Sequence, residues 1–61
     1  MIVKVVRDGR TDDRYTWLIL GPDGPLASFD MPVESEPQDI EEAAWDTLLE
    51  PNRVEELILQ E

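Results

Sequence analysis

Along the first half of the chain apolar residues come in short, β-branched or alternating runs; along the second half they recur at helical spacing. Ile2 to Arg7 is short and rich in β-branched residues, with Lys4 the only charge before Arg7, and reads as a strand. Asp8 to Asp13 is polar, carries Gly9 for a positive φ, and reads as the turn. From Arg14 to Leu20, Tyr15, Trp17 and Ile19 fall on one face and Thr16, Leu18 and Leu20 on the other. Neither face is polar, which marks a central strand covered by a helix on one side and by a partner or subunit contact on the other. In Gly21-Pro22-Asp23-Gly24, Pro22 suits the second position of a type I turn and Gly24 the left-handed residue that closes a hairpin with a bulge. Pro25 to Met31 makes a third strand, with Ala27, Phe29 and Met31 on one face and Leu26, Ser28 and Asp30 on the other. Pro25 and Pro32 place that strand at an edge.

The pattern then changes period. Ser35-Glu36-Pro37-Gln38 fits a capping box, with Ser35 as N-cap, Gln38 as its reciprocal partner and Pro37 tolerated in the first turn. Ile40, Ala43, Ala44, Thr47 and Leu48 form the stripe of a helix lying on the sheet, ended or kinked by Pro51 after Glu50. Val54 to Glu61 supports two readings. Val54, Leu57 and Ile58 suit a helical stripe, whereas Leu57-Ile58-Leu59 suits a short returning strand; the good helix formers and the glutamates favour the helix. The fold expected is a single α+β domain over residues 1–61: a three-stranded antiparallel β-meander packed on one α-helix, with a short C-terminal helical (or strand) segment.

Composition narrows what such a domain can do. Fifteen Asp and Glu against five Lys and Arg give a net charge of −10, and there is no His and no Cys among the 61 residues. A chain so acidic gains nothing from nucleic-acid phosphates or anionic lipid, so direct nucleic-acid binding and membrane docking are not expected. Without Cys or His, disulfides, thiolate chemistry, the commonest general base and the usual zinc ligands are missing, and no cofactor or metal is expected. No apolar run approaches the roughly 20 residues of a membrane span, and a cytoplasmic location is expected. The charge is also uneven: residues 1–30 hold five acids against four bases, residues 31–61 ten acids against Arg53 alone.

Three constellations bear on chemistry. Asp8 to Asp13 superficially suggests an oxygen-ligand calcium site, but Ile19 occupies the twelfth position from Asp8 and Arg10 and Arg14 would repel a cation, so a solvated loop is the better reading. Glu41-Glu42 and Glu55-Glu56 are adjacent pairs, and neighbours on a helix diverge by about 100°, too far to converge on one substrate as acid and base. Catalysis is therefore not expected. On the helical wheel Asp39, Glu42, Asp46 and Glu50 share one arc away from the apolar stripe, a ridge about 16 Å long if the helix runs to Glu50. Four charges over that length are sparser than the phosphates of a DNA strand, and Glu34, Glu36, Glu55, Glu56 and Glu61, or a second copy, would raise the density. Trp45 and Leu49 lie beside the ridge, an apolar anchor in a charged border unless the C-terminal segment folds back over Trp45. Tyr15 and Trp17 are assigned to the core.

The expected function is a non-catalytic protein-binding module: an acidic inhibitor or adaptor that targets a basic, nucleic-acid-binding protein, as a nucleic-acid mimic of phage or mobile-element type, through Asp39, Glu42, Trp45, Asp46, Leu49 and Glu50. An antitoxin-like neutraliser of a basic toxin shares this physics. The alternative is an accessory or structural subunit, with a homodimer in view, whose charge serves only solubility.

Overall fold

A computed structural model describes residues 1–60; Glu61, assigned above to the acidic surface and the C-terminal segment, lies outside the described residues. The elements are β1 (Ile2–Thr11), β2 (Arg14–Gly21), β3 (Gly24–Pro32), α1 (Pro37–Thr47), a short 3-10 turn (Pro51–Arg53) and β4 (Glu56–Gln60). They make an α+β fold with one helix and a four-stranded mixed sheet in the order β3-β2-β1-β4. β1, β2 and β3 form the expected antiparallel meander with β3 at an edge, and β4 adds to β1 in parallel.

The core lies between one sheet face and α1. Val3, Val5, Trp17 and Ile19 from the two central strands meet Ile40, Ala44 and Leu48 from the helix side, with Tyr15, Ala27, Phe29, Met31, Val54, Leu57 and Leu59 packed around them. The helical stripe is as expected, since residues four apart stack on one face and Ala44 lets the helix approach closely.

Five local expectations are corrected. Asp8 to Asp13 is not a loop: β1 continues to Thr11, a bulge falls between Arg7 and Gly9, and only Asp12 and Asp13 turn. Gly9 has no positive φ; among the described residues Gly24 alone does, at +129°, in the second hairpin. The bulge is what keeps the strand going, because its extra residue resets the alternation and puts Arg7 and Arg10 on the same side, both over Tyr15.

The capping box does not form. Ser35 N–H donates to the Pro32 carbonyl in the turn that leaves β3, so Glu36 becomes the N-cap, without a side-chain cap, and Pro37 opens the helix. Gln38 reaches the Glu36 carboxylate instead, at 3.4 Å. The helix ends at Thr47, not Glu50. There the Thr47 hydroxyl donates back to the Ala43 carbonyl at 2.7 Å, and Leu48 turns extended while burying its side chain.

The C-terminal segment is the strand, not the favoured helix. β3 and β4 both run parallel to β1, so the chain must cross the sheet between them, and α1 is that crossover. The crossover delivers the segment to the open edge of β1, where a continuous register from Ile2↔Glu56 to Val6↔Gln60 satisfies backbone groups that an exposed helix would not reach. The N-terminal ammonium donates to the Arg53 carbonyl at 2.7 Å and Glu55 N–H to the Met1 carbonyl at 2.8 Å, fixing the start of that ladder.

The sheet face away from α1 has no covering layer among the described residues. Val6, Leu18 and Leu20 are half-buried there, and Ile2 and Ile58 are exposed. No helix is long and apolar enough to cross a membrane among the described residues.

Candidate functional site

The residues assigned to partner binding divide at the end of α1. Asp39, Glu42 and Asp46 are exposed on the helix, within about 60° of one another on the wheel, and point away from the buried Ile40 and Ala44. Glu41, also exposed, lies on a different side. None of the four has an ion-pair partner among the described residues, where the salt bridges involve only Glu50 with Arg53 and Glu55 with the N-terminal ammonium. From Asp39 to Asp46 the ridge is about 10 Å long, shorter than the sequence implied because the helix stops at Thr47.

Glu50 does not continue it. Leu48 leaves the helical path, and Glu50 precedes Pro51, which disfavours helical backbone; its carboxylate pairs with Arg53 Nε at 3.2 Å. Trp45 stays on the helix beside the acids and is 36% exposed, so it is not buried beneath another segment. Leu49 is 95% exposed beyond the helix end, out of helical register with Trp45. Trp17 is buried and Tyr15 half-buried, in the core as assigned.

A feature not foreseen from the sequence is a cleft of about 310 Å³ at the C-terminal end of α1. Met1, Leu26, Ala27, Leu48 and Leu49 give it apolar walls, and Glu50 and Arg53 complete its lining. These residues come from the chain start, β3, the helix exit and the 3-10 turn, so no local sequence pattern joins them.

Chemically the arrangement can present fixed negative charge along one helix face and an apolar recess at the helix's C-terminal end. Among the described residues no group of three or more Asp or Glu converges in a way that could hold a metal ion. The hairpin acids stay apart from the ridge: Asp8 sits at the bulge, and Asp12 and Asp13 make the turn. Comparison with models of known protein families, with curated proteins and with solved structures finds no match for this chain.

Proposed function

We propose that this chain is a non-catalytic acidic binding module, an inhibitor or adaptor that engages a basic, nucleic-acid-binding protein. The observation that carries this reading is the row Asp39, Glu42 and Asp46, exposed on a helix packed down by Ile40 and Ala44 and without an ion-pair partner among the described residues. Charges held on a rigid element cost little conformational freedom on binding and steer a basic target, and the net charge of −10 adds a long-range field. Trp45 beside the row and the cleft lined by Leu48 and Leu49 offer apolar contacts that carry affinity while the acids set specificity. Small acidic proteins of phages and mobile elements that occupy the nucleic-acid groove of a host protein would use such a surface.

The test is capture from cell extract on the immobilised chain, in rising salt and with duplex DNA as competitor. Basic nucleic-acid-binding proteins should be retained, released by salt and displaced by DNA, and the Asp39→Asn, Glu42→Gln, Asp46→Asn triple variant should retain them weakly. Equal retention by the triple variant at every salt concentration overturns the reading.

A second reading, an accessory or homo-oligomeric subunit with the charge serving solubility, is supported by the uncovered sheet face with Ile2 and Ile58 exposed.

A further inference from the structure

The two outer edges of the sheet are protected unequally. β3 carries Pro25 and Pro32, which have no N–H to offer a neighbouring strand, together with an exposed Asp30 and a bulge against Ile19 and Leu20. β4 also carries one exposed acid, Glu56, but it has neither proline nor Lys or Arg, and its register with β1 is unbroken. Its centre, Leu57-Ile58-Leu59, is wholly apolar, and nothing among the described residues pairs with its outer backbone groups.

We infer that the outer edge of β4 docks a second copy of this chain, antiparallel, about a two-fold axis normal to the sheet through Ile58. Side chains alternate between the faces of a strand, so the apolar layers of two such sheets continue across the joint only in registers that pair odd residues with odd and even with even. One such register uses all five residues of β4: Glu56 opposite Gln60, Leu57 opposite Leu59 and Ile58 opposite itself. Both Leu pairs then extend the layer beneath the helices, and Ile58, 37% exposed in one copy, is covered by its twin. Each Glu56 meets an amide instead of a carboxylate. Sliding by two residues sets Ile58 against Glu56 or Gln60 and leaves part of the edge unpaired, so the apolar pattern selects this register.

That interface is a strand about 17 Å long between two copies of net charge −10, so association is weak and concentration-dependent. Gln60 is exposed and pairs with Val6 on β1, so its replacement leaves the monomer fold intact, which circular dichroism verifies. The experiment is sedimentation equilibrium of the full chain up to about millimolar concentration in about 0.15 M salt. The parent shows a monomer–dimer equilibrium. Gln60→Glu opposes carboxylates at two symmetric positions and weakens it about fivefold, and Gln60→Lys creates two Glu–Lys pairs and tightens it by a similar factor. Adding Glu56→Lys to Gln60→Lys reduces the net negative charge further, yet it sets Lys against Lys and must loosen the dimer again. A loss that appears on this last step separates the specific register from general charge repulsion. A chain that stays monomeric at every concentration overturns the inference, as does a dimer that ignores residue 60, or one that tightens with each added Lys. A dimer weakened by Leu18→Ser and indifferent to Gln60 substitutions would instead pack through the uncovered face, which also overturns it.

Discussion

The guanidinium of Arg7 lies over the ring of Tyr15, 4.6 Å from its centroid, and the strand bulge brings Arg10 to the same ring at 5.4 Å. Two of the five basic residues are thus spent on one aromatic face of the first hairpin, just beyond its β4-paired segment. Tyr15→Phe keeps the ring and is expected to change stability by less than about 0.5 kcal/mol, whereas Tyr15→Leu removes both cation contacts and costs about 1 kcal/mol. Urea unfolding compares the two. Equal midpoints would show that the stacked cations contribute nothing.

The two hairpin glycines are expected to behave oppositely. An added Cβ at Gly9 meets nothing within 4 Å and its φ is not positive, so Gly9→Ala is neutral or stabilises by up to about 0.5 kcal/mol. Gly24 has φ +129°, a conformation that side chains disfavour, so Gly24→Ala costs about 1–3 kcal/mol although space is open there too. Thermal melts of both variants decide it; equal melting temperatures would remove backbone strain as the cause.

Trp17 is 2% exposed and its Nε1–H has no acceptor among the described residues. Trp17→Phe loses some packing but also removes an orphaned donor, so the two effects offset to within about 1 kcal/mol. Trp17→Ala relieves the same donor and opens a large void, costing about 3–5 kcal/mol. Denaturation followed by circular dichroism measures both. A Phe variant as unstable as the Ala variant would mean that the indole nitrogen is satisfied in solution.

The N-cap of α1 is Glu36, which makes no side-chain cap. Moving the serine of the failed capping box one position, as Glu36→Ser, supplies a side-chain oxygen to the first turn, where Asp39 and Ile40 N–H already donate to the Glu36 carbonyl and Gln38 N–H is the remaining donor, and is expected to stabilise by about 0.5–1 kcal/mol. The same change removes one negative charge, so Glu36→Gln is the control in the same melts. A Gln variant that gains as much as the Ser variant would assign the effect to charge.

Self-repulsion follows from a net charge of −10 and from the few ion pairs formed. Raising salt from about 10 mM to about 0.5 M is expected to stabilise the fold by about 1 kcal/mol, or roughly 4–8 °C in melting temperature. The triple variant Asp39→Asn, Glu42→Gln, Asp46→Asn should start higher and gain less. A salt-independent melt would show the acids to be too dispersed to repel.

Local pattern was enough to determine the meander, the Pro22-Asp23 turn with its positive-φ Gly24, the edge position of β3 and the buried helical residues Ile40 and Ala44. These depend on neighbours a few residues apart: alternation, fixed proline φ, glycine freedom and helical spacing act within one element. Composition likewise determined the acidic surface, because charges without partners stay in water. Tertiary structure alone decided the C-terminal segment, where Leu57 and Leu59 could serve either a helix or a strand and the open edge of β1 supplied the backbone partners. It also decided where the ridge ends: Leu48 leaves the helical path to bury its side chain, and Glu50 turns to Arg53 and out of line with Asp46. The cleft between Met1, Leu26 and Leu48 belongs to the same class, since its walls become neighbours only when the crossover closes the sheet.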